Sequence, residues 1–428
     1  MICCSHKRTS IQNELRGQPP EASHCTHIGP AQRRLIHAAF KDWFDIDVTS
    51  ESSDRHPAQA LQAMTPEAER ELHPKKLNEL LHDLAVERIA RARQKLSELP
   101  RENRRRQLQA DWARLLGNVA PPAEVKSRSI VEHNNSAAGF SIERVVLTVE
   151  SSISFPILLL KSEMAISDQR HVKPKVVVAL AQSGKQRLLP ARAAEIATFL
   201  ASGLAVCLPD LRGMGETSLG TDRGRRSAAT SASSSELMLG GTMLGAQVRD
   251  LRAVLVWLRG RDDLETQDFA IWGDSLSEPN PPDTIFQVPR DDDEALPRSS
   301  EPLGGLLALL TALYEQDVRA VYVHGGLASF ESVLAKHLVL IPHDVVVPGA
   351  LTAGDLCDLV AAITPCRVRL EEMVDGWNRR VSLRALTSAY EPAAASYRTA
   401  AVAEHFSFSA EGTSVARWLT DGKPGRAR

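Results

Sequence analysis

The sequence predicts an α/β protein: a mostly parallel sheet with helices on both faces, preceded by a helical N-terminal region. Three observations carry that expectation. Short apolar, β-branched runs alternate with helical patterns from Val176 onward, the mark of repeated strand and helix units. Ahead of them lie two strand-like runs close enough to form a hairpin, Ile142, Val145, Leu147 and Val149 and then Phe155 to Leu160. Earlier still, the hydrophobic period is that of helices.

A chain of 428 residues, 43% of them hydrophobic, exceeds what one compact domain usually holds. The expected division is 1–60, an N-terminal segment; 61–129, a helical region and linker; and 130–428, the sheet domain. Within the helical region Leu77, Leu80, Leu81 and Leu84 lie on one stripe and Leu108, Trp112, Leu115 and Leu116 on another, with Pro100 between them. Asn118 to Ser129, with Pro121 and Pro122, reads as the linker. The sheet domain then runs through Val176 to Leu180, a helix over Ala191 to Ala201, Ala205 to Leu208, a helix over Met243 to Trp257, and Phe269 to Trp272. Strands at Val318 to Val323 and Arg367 to Leu370 follow, with a weaker one at Ala401 to Phe406. Between Glu278 and Pro302 a Pro- and Asp-rich stretch with the acidic run Asp291 to Glu294 breaks the alternation. It reads as a surface insertion or as a loop over an active site.

The 51 basic and 53 acidic side chains nearly cancel, which gives no electrostatic case for nucleic acid or an anionic membrane. The run Arg104 to Arg106 reads as a solvated helix face. No stretch reaches the roughly 20 apolar residues that span a bilayer, and the polar residues Met1 to Ser10 do not make a signal peptide. Cys3, Cys4, Cys25, Cys207, Cys357 and Cys366 have neither zinc-site spacing nor the density of a disulfide scaffold. The expectation is a soluble chain in a reducing compartment, the cytoplasm by default, without metal or organic cofactor.

The candidate chemistry begins where Phe269 to Trp272 runs into Gly273-Asp274-Ser275-Leu276-Ser277. A serine at a sharp turn after a strand can be a nucleophile, given a base to take its proton and amides to hold the oxyanion. Ser277 stands where a second glycine is usual. Asp375 follows the strand Arg367 to Leu370, and His405, the only histidine after Asp375, closes the weaker strand. That order, nucleophile, acid, histidine, is the one this kind of sheet uses. His343 is the rival base and Glu371 or Glu372 the rival acid; both precede the expected positions. The oxyanion donors are expected at Leu276 and in the loop holding Gln182 and Ser183.

Other motifs fail. A GDSL-type hydrolase places its serine near the domain start and Asp-x-x-His near the end, whereas Asp168 to His171 lies upstream of Ser275. Around Gly184-Lys185 a phosphate loop would need glycine at Ala179 and Ser or Thr at Gln186. The glycines at 213, 215, 240, 241 and 245 make no dinucleotide fingerprint.

Together these residues resemble the acetyl xylan esterase-like and dienelactone hydrolase-like branch of the α/β-hydrolases, over about Ile142 to Leu419. The resemblance rests on Asp210-Leu211-Arg212-Gly213-Met214-Gly215-Glu216-Thr217 after the fourth strand and on Val374-Asp375-Gly376-Trp377-Asn378-Arg379 after the late one. It implies an α/β-hydrolase-type sheet, catalytic Ser275, Asp375 and His405, and structural Asp210 and Arg212. The substrate it implies is a small acyl ester, with acetylated carbohydrate one example. Two departures are plain: Gly304 and Gly305 open a helix only after the insertion, and Gln182-Ser183-Gly184 replaces the usual His-Gly loop. The alternative is therefore a non-catalytic α/β-hydrolase-fold protein that binds a ligand or a protein partner. His27-Ile28-Gly29-Pro30 and the helix with Leu35, Ile36, Phe40 and Trp43 also resemble the end of a preceding hydrolase domain; an N-terminal amphipathic helix is the simpler reading.

Overall fold

The computed structural model describes residues 30–48, 50, 56–132, 139–162, 173–220, 227–284, 297–336, 338–409, 412 and 414–421. The described residues up to Pro74 form a unit of their own with helices α1 (Pro30–Phe44) and α2 (Pro66–Leu72). Thr65 starts α2 by accepting the Ala68 amide on its hydroxyl, with Pro66 in the first turn. His27 lies outside the described residues.

The second unit, Lys75–Arg428, opens with α3 (Leu77–Ser97) and α4 (Arg101–Leu116). On α4 the expected face is buried through Leu108, Trp112 and Leu116. On α3 it is not: Leu77 and Leu80 face solvent, and Ala85, Ile89, Ala92 and Leu96 are buried instead. These four recur at an equally regular helical spacing, and this second stripe is the one that meets the body. The linker ends sooner than expected, in strand β1 (Lys126–Glu132), paired antiparallel with β2 (Phe140–Glu150). An edge strand is held through its main chain, so polar Lys126, Ser127, Arg128 and Ser129 suffice.

Strand β3 (Ile153–Ser162) completes the hairpin, followed by β4 (Lys175–Ala181), α5 (Lys185–Ala191), α6 (Ala193–Ala201) and β5 (Ala205–Pro209). Next come α7 (Ala228–Met238), α8 (Met243–Arg259), β6 (Glu265–Asp274), α9 (Leu303–Tyr314), β7 (Val318–His324) and the short α10 (Glu331–Leu334). The last elements are α11 (Leu356–Ala362), β8 (Arg367–Glu371), α12 (Leu383–Ala389), α13 (Glu391–Thr399), β9 (Phe406–Ser409) and α14 (Val415–Asp421). The sheet order is β1-β2-β3-β5-β4-β6-β7-β8-β9, antiparallel from β1 to β5 and parallel from there on.

Strand β4 explains why its sequence is a continuous apolar run. Val176, Val178 and Leu180 enter the larger core with α8 and α9, whereas Val177, Ala179 and Ala181 enter a smaller one with Leu188, Ile196, Phe199 and Val415. A strand covered on both faces has no polar side to show. Arg105 also departs from expectation: it reaches the carbonyls of Ala312 and Leu313 at 2.6 and 2.9 Å, at the end of α9. Helix C-termini leave such carbonyls without intrahelical donors and favour a cation.

The turn after β5 is structural, as its resemblance implies. Buried Asp210 accepts the amides of Lys185 and Glu216 at 2.8 and 2.9 Å, and Gly215, with φ +46°, sits so close that a Cβ would lie 2.2 Å from its carboxylate. Only glycine fits there. Arg212 forks onto Asp250 with two bonds of 2.7 Å and reaches Glu150 at 2.9 Å.

At the start of α11, Asp355 accepts the amides of Leu356, Phe330 and Glu331. Burial nevertheless pushes its carboxyl up to about 6. Because the unfolded value is lower, ~3.9, the folded state holds the proton more tightly, and stability gains as pH falls through about 6. From about pH 7 to pH 5 the protein should gain about 1 kcal/mol relative to Asp355→Asn, read from urea unfolding. Parallel pH profiles for the two proteins would contradict this.

Candidate active site

Ser275 follows directly on the C-terminal end of β6, the edge of a parallel sheet where such folds carry their chemistry. Behind it the strand end and α9 touch main chain to main chain: a Cβ on Gly273 would lie 2.2 Å from the Gly304 carbonyl, and one on Gly304 2.9 Å from the Asp274 amide. The glycines are therefore packing requirements. Strand end and helix start meet, far apart as they are in sequence.

Ser275 itself is 4% exposed. Its Oγ accepts the Ser277 amide at 3.4 Å, and Gly325, with φ +64°, lies against its Cβ. A nucleophile elbow holds its serine in a strained turn. Among the described non-glycine residues, left-handed backbone falls on Asp45, His73, Glu372, Asn378 and Ala401, not on Ser275.

The structure does not bring His405 to this serine. The last strand begins at Phe406 instead of ending there, so His405 precedes β9 in a single 3-10 turn. Through the parallel register Gly273 aligns with Val323, Leu370 and Phe408 in turn. Ser275 is thus two residues above that row and His405 three below it, a separation of about 16 Å along the strands alone at ~3.3 Å per residue. The His405 ring bonds the Pro365 carbonyl through Nδ1 at 2.8 Å. Hydrogen-bonding reach is ~2.6–3.2 Å, so His405 cannot serve Ser275 in this arrangement.

Asp375 organises its own loop. Its Oδ1 accepts the amides of Trp377 and Arg379 at 2.9 and 3.0 Å, and its Oδ2 takes two bonds from the Arg379 guanidinium. The rival His343 bonds Ser233 Oγ at 2.8 Å. Of the oxyanion candidates, Leu276 donates its amide to Glu301 at 3.0 Å, and Gln182 Oε1 accepts the Leu303 amide at 3.4 Å. The Gln182 Nε2 and the Ser183 Oγ are buried without a hydrogen-bond partner.

A group that sequence reading missed stands beside Ser275. Asp274, fully buried, accepts two bonds from Arg192 (2.6 and 3.1 Å) and pairs with His324 Nδ1 at 2.7 Å, while His324 Nε2 faces Glu372 at 3.3 Å. Burial is the largest single influence and opposes charge on His324, but the bond to Asp274, the charge of Asp274 and that of Glu372 together raise the imidazole above its ordinary value. Tyr322 donates to Glu371 at 2.5 Å, and Arg192, Trp272, Asp274, Tyr322, His324 and Glu371 line a cleft of about 190 Å³. His324 ends a buried strand, and its partners come from other strands and helices. No local pattern could have announced the cluster. Among the described residues no set of three or more His, Cys, Asp or Glu side chains is placed to hold a metal ion.

No family model and no curated protein matches the sequence. Solved structures do match by fold. A candidate acetyl xylan esterase from Bacteroides fragilis superposes with TM-score 0.51 at 13% identity, over 72% of this chain and 74% of that one. A glucuronoyl esterase from Teredinibacter turnerae gives 0.47 at 13%, over 75% and 83% of the two chains. One from Solibacter usitatus gives 0.46 at 12%, over 70% and 80%. The chain has the α/β-hydrolase fold. These structural neighbours are carbohydrate esterases.

Proposed function

We propose that this chain is a non-hydrolytic α/β-hydrolase-fold protein that acts by binding a ligand or a protein partner. The observation that carries this reading is the place of His405, at the N-terminal end of β9 with its ring on the Pro365 carbonyl. A serine hydroxyl is a weak nucleophile until a base takes its proton. Among the described residues neither His405 nor His343 bonds Ser275, and the residues that follow β9, Ala410-Glu411-Gly412-Thr413-Ser414, include no histidine. The burial of Ser275 and the occupied Leu276 amide point the same way.

One observation favours a second reading, a serine ester hydrolase acting on small acyl esters such as acetylated carbohydrate: Ser275 stands at the C-terminal end of β6 in front of the glycine-packed start of α9. That reading needs a base brought in by rearrangement. The purified protein should not hydrolyse an activated acetyl ester above the Ser275→Ala background, and a serine-directed fluorophosphonate should leave Ser275 unmodified. Turnover that Ser275→Ala lowers on the order of 10⁴-fold, the usual scale for a lost nucleophile, would establish the hydrolase instead.

A further inference from the structure

Two carboxylates and one imidazole meet at the ends of three neighbouring strands. His324 closes β7; its Nδ1 lies 2.7 Å from Asp274 Oδ1 at the end of β6, and its Nε2 lies 3.3 Å from Glu372 Oε2, just past β8. Asp274 also takes the Arg192 fork, at 2.6 and 3.1 Å, and Glu372 takes Arg380 Nη2 at 2.6 Å. Ionised carboxylates can only accept hydrogen bonds. Each ring nitrogen must therefore carry a proton to face its partner favourably, and a ring with both protons is an imidazolium.

The other charged groups near the ring come from the elements packed around it. Arg192 Nη2, in the residue before α6, lies 3.3 Å from His324 Nδ1. Tyr322 of β7 gives its hydroxyl to Glu371 at 2.5 Å, and Arg369 Nε of β8 stands 3.5 Å from the same carboxylate. Burial, the largest influence, and Arg192 both oppose charge on the ring; the bond to Asp274, the charge of Asp274 and that of Glu372 outweigh them. The ring also lines the cleft of about 190 Å³, through which protons can reach it. Glu372 has φ +51°, and its amide donates to the Ser409 carbonyl at 3.1 Å. A residue other than glycine keeps such a backbone only where its surroundings hold it.

We propose that His324 is a proton-dependent clamp: as an imidazolium it ties Asp274 to Glu372 across β6, β7 and β8, and on losing one proton it keeps Asp274 and releases Glu372. A neutral imidazole has a single N–H. The 2.7 Å bond to Asp274 retains it, so the Nε2 lone pair is left facing the Glu372 carboxylate and repels it. Because the folded value is the higher one, the clamp's stabilisation is complete below ~6.5, the ordinary imidazole value, and is lost as pH rises through the folded value. The clamp borders Ser275, whose Cβ lies against Gly325, and it operates whether or not Ser275 hydrolyses esters.

The test is a pH titration of the full chain, isotope-labelled in its histidine ring nitrogens and followed by NMR, with His324→Gln to assign the resonances that vanish. The His324 midpoint should lie above ~6.5; a midpoint at or below that value overturns the proposal. Hydrogen–deuterium exchange at the Glu372 amide, corrected for the intrinsic rate at each pH, should show protection falling about tenfold or more from about pH 6 to about pH 9, the loss expected for one charge-assisted contact. In His324→Gln the protection should be low and flat over the same range. Protection in the native protein that ignores pH, or the same pH dependence in His324→Gln, also overturns the proposal. Should His324→Gln lose protection in β4 as well, Glu372→Gln keeps the shape and removes the charge. The His324 midpoint must then fall below that of the native protein, or the proposal fails.

Discussion

Asp250→Ala should destabilise the protein by about 3–5 kcal/mol, the cost of leaving a buried charge without its partner. Asp250 is fully buried and takes both bonds of the Arg212 fork. Burial works against the Arg212 cation, but its bonds to Asp250 and then to Glu150 hold it firmly charged. After the substitution only Glu150, itself partly solvated, remains to it. The urea midpoint should fall at unchanged slope. Replacing Arg212 and Asp250 together by Met and Leu should cost less than Asp250→Ala, because no charge is then stranded. A comparison substitution at the surface, Asp268→Ala, removes pairs with Lys175 and Arg319 and should cost no more than ~1 kcal/mol. If Asp250→Ala costs as little, the fork does not hold the turn after β5.

Trp112→Ala should cost a similar ~3–5 kcal/mol. The indole is wholly buried on α4 and its ring lies 6.0 Å from that of Phe330, which belongs to the segment after β7. Its Nε1 has no hydrogen-bond partner, so the loss is one of packing, and Trp112→Phe should cost only ~1–2 kcal/mol. The measurement also tests whether α3 and α4 are part of the sheet unit. Unfolding followed at the helices and at the sheet should shift together in Trp112→Ala. A shift confined to the helices would mean that the pair is an appendage.

What the sequence discloses follows from how each element is stabilised. A strand covered on both faces, such as β4, must be apolar throughout, and it is plain in Val176 to Ala181; β7 is nearly so, with Arg319 the one charged residue in Val318 to Val323. Strand β1 was hidden because main-chain bonds hold it. The placement of β9 mattered more. Phe406-Ser407-Phe408-Ser409 carries the two-residue period of a strand, whereas Ala400-Ala401-Val402 offers only apolar character. Taking the apolar run for the strand carries His405 from one edge of the sheet to the other. Side-chain partnerships across the fold, His324 with Asp274 or Glu301 with the Leu276 amide, depend on strand register and on where an insertion returns. Neither is a local property.

The contact between Gly273 and Gly304 has a bearing on where the Pro- and Asp-rich segment can vary in length. Its described ends stay on the body: the Asn280 amide donates to the Asn378 carbonyl at 2.7 Å and the Ser300 amide to the Leu340 carbonyl at 2.8 Å. Main-chain packing holds the strand end against the helix start, and these bonds hold the two stems of the segment beside them. Loop closure across fixed ends grows only with the logarithm of loop length. Changes of length between Asn280 and Arg298 should therefore cost little, whereas the two stems, joined to each other and to the Trp377 carbonyl through the Asn280 side chain, belong to the body as much as the strand and helix they connect.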